Sequence, residues 1–274
     1  MNYKNIKFDI VVIAGQSNAE GNGFSLNKEP IINNAYEIID KNPHGMKLKP
    51  DGSYERLDCV YPVEVVVREL QERKSGDAYC YDFSLSFADE YIKNNLLTSD
   101  RKLLVIKAGY GGSGFALKQQ GVGNLLHQRL LDMVDYGLSL NKENRIVAFL
   151  WHQGEHDAFE NANFSDKERY DFYHSNLLNV FKDLKEKYSR FSFPFITGGF
   201  CDHWKQSGYQ HQCEVVERAT KDVCKEIGNA TFVSAVVLHS NDEDIHNGDI
   251  IHFSKDALKT LGKKYFEAFI SFTH

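Results

Sequence analysis

Residues 8–23, FDIVVIAGQSNAEGNG, begin with a short apolar run that passes directly into a loop of small and polar residues. The run at 8–14 is dominated by Ile and Val, as is typical of a strand buried on both faces of a parallel sheet. A serine that directly follows such a strand lies at its carboxyl end, the edge where open α/β sheets bind their ligands. We therefore predict a buried strand at 8–14 that presents Ser17 to a cleft.

The same alternation of apolar runs and helical segments continues along the chain. Further strands are predicted at residues 103–108, 146–151, 193–197 and 231–238. Ser254 is a plausible N-cap for the last of the helices. From apolar residues at helical spacing, helices are predicted at 83–95, 124–138, 166–188, 214–227 and 254–269. This order predicts an α/β fold, a three-layer α/β/α sandwich around a central, mostly parallel sheet of five strands.

Residues 24–80 depart from this alternation of strands and helices. They contain four of the five prolines, little helical periodicity, and an apolar run at 61–67 among charged residues. We interpret this stretch as an irregular insertion near the active edge of the sheet that covers it. Since no repeat or linker divides the chain, we predict a single domain over residues 1–274.

Composition narrows the classes of function. The net charge of -6 and a pI near 6.0 argue against nucleic-acid binding, which usually needs a basic surface. No stretch approaches the roughly 20 apolar residues that span a bilayer, so no membrane partner is expected. Asp9 interrupts the first apolar run, which leads straight into a motif; we therefore expect a strand rather than a signal peptide, and a cytoplasmic protein.

The cysteines give no sign of a disulfide framework. There are five, an odd number, with no CxxC spacing, as is typical of reduced thiols. Cys201 and Cys213 could share a zinc ion with His203 and His211, but this spacing matches no familiar zinc module. We therefore favour ordinary thiols and predict no metal.

The GQSNA loop carries the first candidate catalytic residue. Gly15 permits a tight turn, Ser17 supplies a hydroxyl, and the Ser17 backbone N–H can face a developing oxyanion. The alternative is that Ser17 merely caps the following helix, as most serines after strands do.

Two further loops follow predicted strands. Residues 107–115, KAGYGGSGF, hold four glycines within six residues, which lets backbone N–H groups approach a ligand closely. The GK[ST] ending of a Walker phosphate loop is absent. Residues 151–157, WHQGEHD, contain Glu155 and Asp157, which could be a glycosidase pair but are better interpreted as structural acceptors of backbone N–H bonds. His152 and His156 flank this block and stay outside the predicted catalytic set.

Near the end of the chain, Asp249 and His252 are three residues apart. One turn can bring the carboxylate to the imidazole Nδ1–H, which leaves Nε2 to accept a proton from a serine. The same loop offers competitors that include a second acid–histidine pair and a possible metal cluster: His239, Asp242, Glu243, Asp244 and His246. The Phe after His252 and the helix that follows favour the later pair.

These four blocks, in this order, resemble the sialic-acid-specific acetylesterase and acetylxylan esterase branch of the SGNH hydrolases. The matching elements are GQSN, a GGS-type block, WxQGExD and DxxHF, which together cover about a tenth of the chain. The chain departs from the family pattern at Ala19, where Met is usual. This change affects packing beneath the loop and leaves the serine in place.

The resemblance implies a flavodoxin-like sheet and a serine esterase without a cofactor. Its catalytic residues would be Ser17, Asp249 and His252. The oxyanion would be held by Ser17, Gly112 and Gln153, and a neutral amide suits this role because it donates without taking the serine's proton. The implied substrate is an acetyl ester on a carbohydrate, either O-acetylated sialic acid or an acetylated polysaccharide fragment such as xylan. Four side chains on these loops could then stack against the sugar, namely Tyr110, Phe115, His203 and Trp204.

Two alternatives belong to other classes. GxSxA is close to the nucleophile elbow of α/β-hydrolases, but those enzymes carry the serine well into the chain and place acid and histidine on separate loops. A carbohydrate-binding or inactive relative would keep the cleft and lose a catalytic residue, and none is missing from the sequence.

Overall fold

Strand β1 (Lys7–Gly15) lies at the centre of a seven-stranded sheet in the computed structural model, which describes residues 2–41, 45–48, 54–57, 63–160 and 163–273. The other strands are β2 (Gly23–Ser25), β3 (Ala35–Asp40), β4 (Gly45–Leu48), β5 (Tyr54–Leu57), β6 (Val65–Glu69), β7 (Arg73–Ser75), β8 (Ala78–Tyr81), β9 (Arg101–Gly109), β10 (Arg145–His152), β11 (Phe195–Gly198) and β12 (Ala230–Val233). The helices are α1 (Ser17–Glu20), α2 (Phe83–Lys93), α3 (Leu125–Ser139), α4 (Glu155–Glu160), α5 (Asp166–Lys187), α6 (Asp202–Trp204), α7 (Gln210–Ile227), α8 (Asn241–Ile245) and α9 (Lys255–Ile270).

The strand order of the main sheet is β12-β11-β10-β1-β9-β3-β6. All neighbours are parallel except β3 and β6, which pair antiparallel. At the end of β1, Gly15 pairs with His152 on one side and Gly109 on the other. Three of the predicted site loops therefore leave the sheet at one level, side by side.

The sheet has two more strands than the five predicted, because β3 and β6 come from the supposed insertion. Glu37 lies in the middle of β3 and is fully buried, which interrupts the hydropathy signal of the strand. Its carboxylate is compensated by Arg68 at 2.6 Å and Lys107 at 2.7 Å. Two strands of the stretch 24–80 are thus built into the main sheet. β2, β8 and β7 form a second, three-stranded antiparallel sheet, and β4 and β5 pair as a two-stranded one. The run at 231–238 is also shorter than predicted, since β12 ends at Val233.

Successive residues of β10 point to opposite faces of the sheet, and their contacts with helices show the three layers. The Trp151 ring packs edge-on against Phe181 of α5, with 6.0 Å between ring centroids. On the opposite face, the His152 ring lies 5.9 Å from Phe83 of α2, and its Nδ1 is 3.1 Å from the Tyr265 hydroxyl of α9. On these two faces, α5 packs with α7 and α2 packs with α9. The predicted α/β/α sandwich is confirmed.

Helix starts follow local capping chemistry. The Asp82 carboxylate accepts from Ser84 N at 2.8 Å at the start of α2, and Ser254 accepts from Ala257 N at 3.3 Å at the start of α9. The predicted cap at Ser254 is therefore present. Among the described residues, no helix combines the length and apolar character needed to cross a bilayer.

Candidate active site

The turn after β1 requires glycine. Gly15 has φ of +135°, and a Cβ at this position would lie 2.0 Å from the backbone oxygen of His152. Gln16 N donates to the same oxygen at 3.0 Å, which holds the end of β1 against β10. The chain then enters α1, and Ser17 is the first helical residue. Its side chain is only slightly exposed and borders a cleft.

That cleft has a volume of about 610 Å³ and lies at the carboxyl edge of the sheet. It gathers three of the predicted site residues, Ser17, Gly112 and His252. The other residues that line it include Gln16, Glu20, Asn22, Phe24, Arg73, Gly111, Glu155, His156, Phe159 and Ile251. The GQSN, GGS and DxxHF loops, far apart in sequence, thus meet at one opening.

Asp249 and His252 form the pair that their spacing predicted. His252 Nδ1 lies 2.9 Å from both carboxylate oxygens of Asp249, and the His252 backbone N–H donates to Oδ1 at 3.2 Å. A proton on Nδ1 is therefore bound to the carboxylate, and Nε2 is left as the basic nitrogen. Among the described residues, no hydrogen bond joins Ser17 to His252. Such bonds are often long in unliganded enzymes and tighten when substrate binds.

Asp249 is held in its charged form. Burial by itself raises the pKa of Asp249, but the hydrogen bond and charge of His252, with the amide of Asn241, outweigh it and leave the pKa below its usual value. Asp249 is thus ionised at neutral pH and serves as an acceptor.

Asn241 is a site residue that sequence reasoning missed. Its fully buried amide donates to Asp249 Oδ2 at 3.0 Å and to the backbone oxygen of Asn22 at 2.7 Å, and its oxygen accepts from Phe24 N at 3.3 Å. One side chain therefore ties the loop of the acid to the segment that follows α1. A lone Asn in a polar loop has no sequence signature for such a role.

The glycine loop provides backbone donors beside Ser17. Gly112 has φ of +64° and lines the cleft, with open space where a Cβ would be. The N–H of Gly111 is already bound to Glu20 Oε2 at 2.8 Å. Gly111 and Gly112 both line the cleft with Ser17, and the role of Gly112 as an oxyanion donor stays a prediction.

Gln153 lies behind the cleft and is almost fully buried. Its Nε2 donates to Asp157 Oδ2 at 2.5 Å and to Gln16 Oε1 at 3.3 Å. The bond to Gln16 is the longer and weaker of the two. The Nε2 hydrogen that makes it is therefore the one that could instead be donated to an oxyanion. Gln16 lies between Gln153 and the cleft, and its Oε1 also accepts from His156 N at 3.2 Å.

The model of the carbohydrate esterase family known as sialic acid-specific acetylesterase matches residues 7–271 of the chain. The chain belongs to this family. The SGNH membership predicted from the four blocks is thereby confirmed, and the chain is an enzyme that acts on ester bonds of carbohydrates.

Solved structures share the fold of this esterase. NanS superposes with a TM-score of 0.68 at 17% identity, with 97% of each chain covered. A protein from Arabidopsis thaliana gives 0.64 at 18% identity, over 96% of this chain and 98% of that chain. Axe2, an acetylxylan esterase from Geobacillus stearothermophilus, gives 0.51 at 12% identity, over 97% and 96%. No curated protein matches by sequence.

The two acids of the WHQGEHD block are buried in the esterase. Asp157 accepts from the backbone N–H groups of Phe115 at 3.1 Å and Ala116 at 2.7 Å, besides Gln153, so it fixes the end of the glycine loop. Burial raises the pKa of both Asp157 and Glu155. The structural interpretation of Asp157 agrees with these contacts.

Three of the aromatic residues expected to stack against a sugar are in the core instead. Tyr110, Phe115 and Trp204 are exposed by 1%, 3% and 2%, and none lines the cleft. Phe115 stacks on Trp151 with ring centroids 6.1 Å apart, and Trp204 stacks on Tyr209 at 5.3 Å. Burying these rings removes a large apolar area from water, which favours the core over the open cleft.

Among the described residues, the remaining histidines lie outside the cleft lining, except His156. His203 Nδ1 is 2.8 Å from Ser240 Oγ, and His239 Nδ1 pairs with Asp244 at 2.8 Å, so the competing Asp244–His246 pair does not form. Cys201 and Cys213 are buried free thiols. Within the described ranges, no group of three His, Cys, Asp or Glu residues is placed to hold a metal ion.

Arg73 is a cleft residue that the sequence did not indicate. It comes from β7, and its Nη2 donates to the backbone oxygen of Gly21 and to Asn22 Oδ1, both at 2.9 Å. Its Nε lies 3.8 Å from Glu20 Oε1 and has no hydrogen-bond partner among the described residues. The stretch 24–80 thus contributes a cation to the cleft.

Proposed function

We propose that this esterase removes O-acetyl groups from a sugar through an acyl-enzyme, with Ser17 as the nucleophile. The observation that carries the proposal is the hydrogen bond of Asp249 to His252, whose ring lines the same cleft as Ser17. The family supplies the reaction class. The positions of Asp249, His252 and Ser17 support their roles as acid, base and nucleophile in that reaction.

In the first step, His252 Nε2 takes the proton of Ser17 Oγ as that oxygen attacks the ester carbonyl. The tetrahedral oxyanion is held by the N–H groups of Ser17 and Gly112 and by the Gln153 amide. Asp249 stabilises the imidazolium that forms without itself taking the proton.

In the second step, the C–O bond to the sugar breaks as His252 passes its proton to the leaving sugar oxygen. Water then enters, His252 removes one of its protons, and the hydroxyl attacks the acyl carbonyl. The Ser17 ester bond breaks and its oxygen regains a proton from His252, which releases acetate and restores the enzyme.

A fluorophosphonate probe followed by peptide mass spectrometry tests this assignment. The phosphonyl group is expected on Ser17 in the wild-type enzyme, and modification should be lost in His252→Ala because the serine is no longer deprotonated. Modification of a different serine would contradict the proposal.

Gln153→Ala is expected to lower kcat by about 100-fold, since removing one oxyanion donor usually costs 10²–10³. KM should change little, because the developing charge exists only in the transition state. Gln16→Ala is the matched comparison, as it removes the neighbouring amide that lies between Gln153 and the cleft. A larger loss of kcat in Gln16→Ala than in Gln153→Ala, with both variants folded, would transfer the role to Gln16.

We further propose that the sugar is acidic, so that O-acetylated sialic acid is favoured over acetylated xylan. Arg73 supports this choice because its guanidinium borders the cleft and its Nε lies 3.8 Å from its acidic neighbour Glu20, beyond hydrogen-bond distance. A planar guanidinium matches the geometry of a carboxylate better than an ammonium does. Sialic acid carries a carboxylate, and acetylated xylo-oligosaccharides do not.

For Arg73→Lys, we expect the KM for O-acetylated sialic acid to rise by about 10- to 100-fold, the cost of losing a charge-assisted hydrogen bond. The same variant should hydrolyse an aryl acetate within about threefold of the wild-type rate. An aryl acetate has no carboxylate, so with this substrate there is no charge-assisted hydrogen bond for the variant to lose. Equal losses on both substrates would show that Arg73 only supports Gly21 and Asn22 and does not bind substrate.

A further inference from the structure

Asn18 follows the proposed nucleophile directly, and its side chain reaches the loop of the proposed base. Its Oδ1 accepts from the backbone N–H of Phe253 at 3.1 Å, and its Nδ2 lies 3.4 Å from the backbone oxygen of Ile251. These two residues flank His252 on either side. Asn18 is fully buried, so these bonds are shielded from water.

The third contact of Asn18 is with Glu155. Asn18 Nδ2 donates to Glu155 Oε1 at 2.7 Å, which is the shortest of the three contacts. The Phe253 N–H requires an oxygen and the Glu155 carboxyl requires a donor, so only one orientation of the Asn18 amide satisfies both. Glu155 thereby fixes which end of the amide faces the His252 loop.

Glu155 is exposed by 1% and belongs to neither the nucleophile loop nor the His252 loop. Its nearest ring nitrogen is His152 Nε2, at 3.6 Å from Oε1. Burial lowers the pKa of His152 to about 3, so that ring is neutral at pH 7 and does not pair with the carboxylate as a cation. A carboxyl buried without a cationic partner is costly, which indicates that it is kept for a specific contact.

We propose that Asn18 and Glu155 are positioning residues that form a clamp between the nucleophile loop and both sides of His252. This inference rests on the proposed function, since it gives His252 the role of base. The clamp holds the backbone at 251–253 at a fixed distance from residue 17, so the imidazole meets the serine hydroxyl without a search over conformations. Neither side chain touches the reacting atoms.

The test is a set of isosteric substitutions measured on an aryl acetate. Asn18→Asp keeps an oxygen for the Phe253 N–H but places a second oxygen against Glu155 and the Ile251 carbonyl. We expect it to lower kcat by about 100-fold with little change in KM, as a misplacement of about 1 Å costs a comparable factor. Glu155→Ala should act in the same direction, and Glu155→Gln, which keeps an acceptor oxygen, should retain at least about ten times the kcat of Glu155→Ala.

The decisive variant combines Asn18→Asp with Glu155→Gln. In this pair the donor and acceptor are exchanged, because the new amide can donate to the new carboxylate. The double variant should regain about tenfold or more of the kcat that Asn18→Asp loses, a coupling that independent sites would not give. Thermal unfolding of each variant shows whether the fold is kept.

Failure of the clamp and failure of the proposed function give different results in these experiments. Additive losses in the double variant, or a normal kcat in Asn18→Asp, would overturn the clamp while Ser17→Ala stays inactive. Turnover in Ser17→Ala within about tenfold of the wild-type rate would overturn the proposed function and, with it, the clamp.

Discussion

Replacing Ser17 with alanine is expected to lower kcat on any acetyl ester by about 10⁴- to 10⁶-fold, the range seen when a serine nucleophile is removed. The reason is that no acyl-enzyme can form, while the oxyanion donors and the cleft remain. Residual turnover above the uncatalysed rate is expected from those donors alone.

The fold should be unaffected by this change. Ser17 begins α1 through its backbone, and its side-chain hydroxyl has no hydrogen-bond partner in the described part of the chain. Steady-state kinetics on an aryl acetate, beside a thermal melt of both proteins, separates loss of chemistry from loss of structure. Activity within tenfold of wild type in a folded Ser17→Ala variant would contradict the mechanism.

Asp249→Asn is expected to lower kcat by about 10³- to 10⁴-fold, as is typical when the acid of such a triad becomes an amide. Asp249 accepts bonds from His252 Nδ1, His252 N and Asn241 Nδ2. An asparagine has one acceptor oxygen for these three donors, so its amide would hold the imidazole in the wrong tautomer. His252→Ala should cost more, because the base itself is absent.

The pH dependence of kcat tests whether Asp249 acts in its charged form. The pKa of Asp249 is lowered, so Asp249 stays ionised as the pH falls well below neutrality. Titration of Asp249 should therefore add no limb to the wild-type pH profile of kcat between mildly acidic and mildly alkaline pH. An Asp249→Asn variant with near wild-type kcat would show that the His252 orientation does not depend on this carboxylate.

The strands that the sequence predicts are those in which most of the buried residues are apolar. β1, β9 and β10 are such strands, and their common register brings the three loops that follow them together. β3 was missed because buried Glu37 and Asp40 are compensated by Arg68, Lys107 and Arg129 through tertiary contacts. These partners are distant in sequence, so the residues around Glu37 and Asp40 do not indicate them.

The candidate site divides in a similar way. Asp249 and His252 are close in sequence, so their pairing could be predicted from spacing. Arg73 could not, because it reaches the cleft only through the pairing of β7 with β8 and of β8 with β2. The opposite error concerned Phe115, whose place on a glycine loop suggested a cleft although its ring packs on Trp151.

The most direct test of the central claim is acetate release from O-acetylated sialic acid, acetylated xylo-oligosaccharides and an aryl acetate, with Ser17→Ala measured in parallel. We predict that the wild-type enzyme releases acetate from O-acetylated sialic acid in preference to the neutral oligosaccharides, and that Ser17→Ala releases it at least about 10⁴-fold more slowly. Release by Ser17→Ala within about tenfold of the wild-type rate would contradict a Ser17-dependent sugar acetylesterase. No release from any of the three substrates by the wild-type enzyme would contradict it as well.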